Sequence, residues 1–457
     1  MTTHAKPVAP ALKTLVIRLH FYIGLLVGPF IFFAALTGTL YALTPALEQA
    51  LNRDALTTGS DSASATLARP LSRQIAAAQD YLDDSALPSA VRPAPEPGAT
   101  TRVMFADPSL DAGEHRAIFV DPQSLEIRGD MTVYGTSGVL PLRRIIDQIH
   151  RSLMQGDPGR LYSELAASWM WLAALGGLAI WAATPSPRVQ PGKQTRTARR
   201  LRTRRRHSLL GLFLLVGLLA LSATGMTWSK YAGDNFFTML KAAGWGTPRV
   251  SQSLQAHDVA YDAHADHAMP GAHPTVSGSL EAFDAVERQA REAGLDAGKI
   301  ELLVPGDNQA WKVREIDRSW PSQVDEVAIH PQSFQVLDQV SFNDYPPAAK
   351  LTRWGIDGHM GILFGLPNQL LLATLGIGIM TMVGWGYAMW WRRRALTRDS
   401  QTLWQALLEL PLSVLALISL VALLLGLAMP VMGVSLVIFL TVDAPRALVA
   451  ARRRATG

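Results

Sequence analysis

Long uninterrupted apolar runs constrain this chain more than any other feature. They occupy residues 20–44, 163–183, 208–228 and 362–391, and a longer one extends from about 403 to 442. Each is long enough for a helix to cross a hydrocarbon core of ~30 Å, which takes roughly 20 residues. The last run exceeds a single crossing, and Gly426 and Pro430 offer a turn inside it. It therefore reads as a hairpin, with a re-entrant or surface helix as the alternative. The predicted spans are 20–44, 163–183, 207–229, 362–391, 403–428 and 431–449. Between them lie an N-terminal segment (1–19), a long loop with a connecting helix (45–162), a short basic loop (184–206) and a second long loop (230–361).

Charge orients these segments. Residues 185–207 carry Lys193 and eight arginines with no acidic residue, Arg392–Arg394 follow the fourth span, and Arg452–Arg454 stand near the end of the sequence. Lys and Arg concentrate in short loops on the cytoplasmic side, so both termini and the basic loop are expected there. The long loops are acidic. Residues 45–149 hold nine Lys/Arg against fourteen Asp/Glu, and residues 230–357 hold eleven against eighteen, so both are expected outside. The net charge of +5 is thus a topology signal and no argument for nucleic-acid binding. The opening stretch "MTTHAKPVAPALKTLVIRLH" has no convincing signal-peptide cleavage site, and the first span is expected to stay as an anchor. The chain has no cysteine, which excludes disulfides, iron–sulfur clusters and covalently attached c-type haem.

The sequence also repeats itself. A shift of 187 places His20, Gly24, Thr37 and Gly38 on His207, Gly211, Thr224 and Gly225. A shift of 209 places His150, Gly156, Pro158 and Trp181 on His359, Gly365, Pro367 and Trp390. The second shift also sets "VDPQSLEI" (120–127) on "IHPQSFQV" (329–336), alternating apolar stretches around a shared Pro-Gln-Ser turn. One unit of span, α+β domain, connecting helix and span therefore reads as copied. The difference of 22 between the shifts implies an insertion between about 226 and 280. A histidine-rich tract at 257–273 lies there, with His257, His264, His267 and His273 among three aspartates. Imidazole and carboxylate suit Zn, Cu or Fe, although a polar, Ala-rich loop accounts for the tract equally.

Of the eleven histidines, His4, His115 and His330 read as surface or core residues. His20, His150, His207 and His359 differ, because each stands at a membrane edge, where an ionisable residue needs a partner or a function. His20 and His207 open the first and third spans, at the cytoplasmic face. His150 and His359 precede the second and fourth spans, at the external face. Packing of two copies about a pseudo-twofold axis would bring like positions together, and a b-type haem needs two such imidazoles across its iron. Two bis-His b-type haems are therefore expected, one above the other in a helix bundle. In a straight helix Gly24, Gly28 and Gly38 share the azimuth of His20, and Gly211 and Gly225 that of His207. Small residues there leave a slot for a porphyrin, or else serve close helix packing. Trp169, Trp171, Trp181, Trp385, Trp390 and Trp391 read as interfacial belts and packing.

The motifs "LHFYIGLLVGP…TGTLY", "IHRSLMQGDPGRLY…W", "RHSLLGL…TGMTW" and "DGHMGILFGLPNQ…GWGYAMWWRRR" resemble the PepSY-associated transmembrane family over about residues 12–395. That family includes ferric-siderophore reductases of bacterial inner membranes. The resemblance implies an α-helical integral membrane protein with two α+β, PepSY-like periplasmic domains. To these the duplicated reading adds a C-terminal helical hairpin. It further implies haem held by helix-end histidines, carried over by position to His20, His150, His207 and His359, and a link to iron acquisition. The hairpin and the histidine-rich insertion are not matched to features of the reductases. The expected activity is electron transfer from a quinol or a separate cytoplasmic flavoprotein to a periplasmic ferric siderophore or other ferric chelate. No dinucleotide fingerprint is present in the chain. The competing classes are a membrane sensor whose external domains bind a peptide or regulate a protease, and a metal-handling transporter component.

Overall fold

The computed structural model describes residues 8–58, 68–111, 113–135, 138–184, 195–254, 279–393 and 402–455. The tract with His257, His264, His267 and His273 lies outside them.

The chain runs through α1 (Val8–Tyr22), a π turn (Ile23–Val27), α2 (Gly28–Leu51), α3 (Arg53–Leu56) and α4 (Leu71–Leu82). Strands β1 (Ala90–Arg92), β2 (Thr101–Phe105), β3 (Glu114–Val120) and β4 (Ile127–Tyr134) come next, then α5 (Pro141–Ser152) and α6 (Gly156–Ala182). The same order follows in α7 (Arg196–Thr227), α8 (Tyr231–Ala242) and α9 (Glu281–Glu292), then β5 (Ile300–Leu303), β6 (Trp311–Glu315), β7 (Glu326–Ile329) and β8 (Val336–Val340). Then come α10 (Pro347–His359), α11 (Leu366–Arg393), α12 (Leu403–Leu408), α13 (Leu412–Ala428) and α14 (Pro430–Ala455).

Among the described residues five helices are long and apolar enough to cross a membrane: Val8–Leu51, Gly156–Ala182, Thr197–Thr227, Leu366–Arg392 and Pro430–Leu448. The stretch expected as a fifth span, 403–428, is two helices, because Pro411 cannot continue α12. That leaves the 17 residues of α13 as a shorter apolar helix. The basic loop expected at 184–206 is helical from Arg196, where Thr195 caps the first turn by accepting from the Ala198 N–H. Arg, Leu and Ala favour the helix once it has started. His207 therefore sits well inside α7 rather than at its mouth, and His20 likewise lies near the end of α1.

The fold divides into two compact units. The helical unit comprises Met1–Ala42, Gln148–Met239 and Leu370–Gly457. Trp169 is fully buried at its centre, its indole N–H donating to Ser435 Oγ at 2.8 Å and its ring 5.3 Å from that of Phe439. The hairpin of α13 and α14 closes on two glycines, since a Cβ on Gly433 would stand 2.8 Å from Gly426 Cα. Small residues permit such backbone contact between helices. Phe213 and Val216 are both 78% exposed, which suits lipid rather than water as their surroundings.

The sheet unit comprises Leu43–Asp147 and Leu240–Gln369. Its strands form one antiparallel sheet in the order β4-β3-β2-β1-β5-β6-β7-β8. The two loops, expected to fold as separate α+β domains, thus share a sheet through β1 and β5, with Ala90 opposite Leu303 and Val91 opposite Leu302. Pairing here removes an edge from each half, and an unpaired edge invites aggregation. Helices α4 and α9 cover the sheet with Ile75, Ala78, Phe283 and Val286, against Val103 and Val313. The two Pro-Gln-Ser segments are capped turns. Asp121 Oδ1 accepts from the N–H groups of Gln123 (2.9 Å) and Ser124 (3.2 Å), and His330 Nδ1 accepts from those of Gln332 and Ser333 at 3.2 Å each. His330 is therefore a turn cap. His115 is buried, with Nδ1 3.0 Å from Ser89 Oγ.

Candidate functional site

Two of the repeated histidines meet inside the helical unit. The rings of His20 on α1 and His207 on α7 have centroids 6.4 Å apart and planes inclined at 82°. Each Nδ1 faces a helix carbonyl: His20 that of Ala173 on α6 at 3.0 Å, His207 that of Met382 on α11 at 3.2 Å. A carbonyl oxygen only accepts, so both Nδ1 atoms carry the proton and each neutral ring keeps its lone pair on Nε2. This is the arrangement that orients a metal-ligating imidazole. Ala173 and Met382 are themselves 209 residues apart, as are Gly177 and Gly386 one helical turn further on. Gly177 makes room for the first ring, because a Cβ there would stand 3.2 Å from His20 Cε1. A Cβ on Gly386 would meet nothing within 4 Å.

The separation suits two imidazoles on one metal, and the number of ligands discriminates between possible occupants. Imidazole–metal bonds of about 2 Å put the centroids of two rings on opposite sides of one ion about 6 Å apart. Among the described residues no three His, Cys, Asp or Glu side chains form a group able to hold a metal ion. A bare ion would therefore find two imidazoles where a tetrahedral site takes four ligands. A porphyrin brings four nitrogens of its own and asks the protein for axial ligands alone. The donor set fits a b-type haem.

His150 ends α5 and lies against α2. Its Nδ1 is 2.9 Å from Thr37 Oγ1, which is itself 2.9 Å from the Phe33 carbonyl. The hydroxyl proton goes to that carbonyl, so Thr37 oxygen accepts from Nδ1–H and His150 adopts the same tautomer as the other two rings. A Cβ on Gly38 would stand 3.2 Å from His150 Cε1, so this ring needs a glycine beneath it. The Tyr162 hydroxyl donates to the carbonyl of His150 and holds the end of α5 against α6. His359 closes α10, where the adjacent Gly358 carbonyl accepts from Asn368 Nδ2 at 2.9 Å. His150 belongs to the helical unit and His359 to the sheet unit.

The glycines depart from the straight-helix expectation. Gly28 N–H bonds to the Ile23 carbonyl five residues back, closing a π turn. The turn takes up one extra residue and rotates everything beyond it by about 100° relative to a continuous α-helix. Gly38 consequently faces His150 and not the side that bears His20, while Gly28 lies against Tyr387 and Val383. Pro29 is the cause: it has no N–H, and its ring excludes the carbonyl four residues back. A Cβ on Gly24 would meet nothing within 4 Å, and one on Gly211 would meet Met382 Cε at 3.2 Å. Gly225 is half-buried on α7. Sequence reasoning passed over Thr37 as a partner for His150, and over the Gly177–Gly386 match that the shift of 209 contains.

No curated protein matches the chain. Residues 17–393 match the PepSY-associated TM region, a stretch that includes His20, His150, His207 and His359 and ends before α12. With most of its length matched in this way, the chain belongs to the PepSY-associated TM family.

Proposed function

We propose that the protein is an oxidoreductase of the bacterial inner membrane that holds two b-type haems and passes electrons to a periplasmic ferric siderophore or other ferric chelate. The observation that carries this reading is the His20–His207 pair, 6.4 Å apart, with each Nδ1 on a helix carbonyl. Haem held there supplies reversible one-electron exchange at iron. The chain's own part is to present Nε2 from two rings and to fix their planes through Ala173 and Met382. Gly177 keeps side-chain bulk away from the first ring. Thr37 prepares His150 in the same tautomer, as a ligand for the second proposed haem.

The basic segments support a topology with both termini in the cytoplasm and the long acidic loops in the periplasm. The recurrence of acceptor positions 209 residues apart supports duplication of a span–domain–span unit. A quinol or a separate cytoplasmic flavoprotein is the proposed donor. One electron converts chelated Fe(III) to Fe(II), which hard oxygen donors hold more weakly, and the metal is released.

A second reading, a sensor that binds a peptide, draws on β8. This terminal strand leaves Val336 37% and Leu337 47% exposed, and an extended peptide adds to such an edge. An absorption spectrum of the purified full chain separates the two. A Soret band with sharp α and β bands on reduction, and about half the haem lost in His20→Ala, is the expected result. A haem-free protein with an intact fold would favour the sensor.

A further inference from the structure

The π turn occurs in only one of two otherwise matching spans. From His20 to Gly38 and from His207 to Gly225 the residue count is the same, yet α7 is continuous α-helix throughout. Val216 stands in α7 where the first span has Pro29. Leu178 stands in α6 where α11 has Tyr387, 209 residues later. Both partners of a contact are therefore present in one copy of each element and missing from the other.

That contact is chemically complementary. In an α-helix the Leu25 carbonyl would accept from the N–H of residue 29, which proline lacks. The Tyr387 hydroxyl donates to this carbonyl instead, at 2.5 Å. Its ring lies beside Gly28, where a Cβ would stand 3.5 Å from Tyr387 Cε2. Helix α11 thus clamps the π turn with Tyr387 while its Met382 carbonyl, about one turn earlier, holds His207. We infer that Pro29 and Tyr387 are positioning residues that set the angular phase between the two imidazole sites on the first span, an inference that rests on reading His20, His207 and His150 as haem ligands. Without the turn, Thr37 and Gly38 would be rotated by about 100° away from His150. With it, the helix that bears His20 also presents Thr37 and Gly38 to His150.

The test uses the full chain and three variants. Tyr387→Phe removes only the hydroxyl. Pro29→Ala restores the N–H and lets the turn relax to α-helix. Pro29→Ala combined with deletion of Leu26 removes the extra residue, so a straight helix regains the original phase. Leu26 is exposed, which makes its loss mild for the core. Because the chain has no cysteine, a pair introduced as Gly38→Cys/His150→Cys reports phase, without any haem, by cross-linking with a short thiol-specific bifunctional reagent that spans the place of the imidazole ring. Efficient cross-linking is expected in the parent, a minor fraction in the Pro29→Ala background, and recovery when Leu26 is also deleted. In chains with their histidines intact, Tyr387→Phe is expected to retain haem but to shift the low-spin ferric EPR signal and the midpoint potential. Unchanged cross-linking in the Pro29→Ala background, or an unchanged signal and potential in Tyr387→Phe, overturns the assignment. A haem-free parent that still shows the cross-linking pattern would defeat the oxidoreductase reading and leave the phase device standing.

Discussion

The helical unit and the sheet unit bury polar side chains by different means. In the helical unit, backbone and hydroxyl groups answer them: His20 and His207 sit on carbonyls, and Ser222 donates to the Ala167 carbonyl at 2.6 Å. Even its buried acids are held through backbone N–H groups. Glu164 accepts from Tyr231 and Ala232 at 3.0 and 3.1 Å, and Asp443 from Trp404 at 3.0 Å. The sheet unit also holds Glu48 and Glu315 on backbone N–H groups, but in addition it buries opposite charges side by side. Glu301 on β5 lies between Arg92 on β1 and Arg314 on β6, at 2.8 and 2.7 Å to the two Nε atoms. A helix in lipid has no water with which to share a stray charge, whereas three adjacent strands bring complementary ions into line. His20 and His207, each held on a backbone carbonyl, are therefore suited to be ligands.

The largest expected effect breaks the sheet's charge triad. Glu301 is fully buried; burial alone would raise its carboxyl, but Arg314 and Arg92 outweigh that and hold it down from 4.5 to about 2. Glu301→Gln leaves two guanidinium groups without their anion, a loss of about 3–5 kcal/mol. Unfolding of the sheet unit, followed by hydrogen exchange on its strands, reads it. The same carboxylate makes the unit acid-sensitive. Its stabilisation is complete above pH 4.5, where the unfolded carboxyl is ionised, and is lost as pH falls toward about 2. Glu301→Gln should remove that dependence, and an unaltered acid limb would refute the paired assignment.

Asp443 is the corresponding probe of the helical unit. It accepts from the Tyr22 hydroxyl on α1 and from the Trp404 N–H at the start of α12, tying both to α14. Hydrogen bonds to a charged acceptor contribute about 1.5–3 kcal/mol, so Asp443→Asn should weaken the docking of α12 by that order. Faster amide exchange at residues 403–408 is the expected signal, with the sheet unit's acid response unchanged. A response confined to the sheet would mean that the units do not differ as described.

What the sequence revealed follows the range of the interaction responsible. The spans and the capped Pro-Gln-Ser turns are written in local periodicity or in repeated words. The shift of 187 pointed to His20 and His207, whose rings meet in the helical unit. The pairing of β1 with β5 joins segments about 200 residues apart and leaves no local trace, so the loops read as two domains. The Ala173 and Met382 carbonyls are silent in any sequence, since every residue has one. Pro29 was visible, but inside an apolar run its missing donor carries less weight than the surrounding hydrophobic residues, and a straight helix was the natural expectation.

The smallest effect concerns a neutral pair and so tests whether hydroxyl and indole groups do hold the helical interior. Trp169 donates to Ser435 Oγ at 2.8 Å while that hydroxyl donates onward to the Met432 carbonyl at 2.9 Å. Trp169→Phe keeps an aromatic ring against Phe439 and removes the donor, for about 1 kcal/mol from the hydrogen bond itself. Ser435→Ala should leave the buried indole N–H without an acceptor and cost a similar amount. The two losses should be less than additive in the double variant, because each removes the same bond. Additive losses in thermal unfolding would show that Trp169 acts through its volume alone, and the contrast between neutral and charged interiors would then rest on the histidines and Asp443.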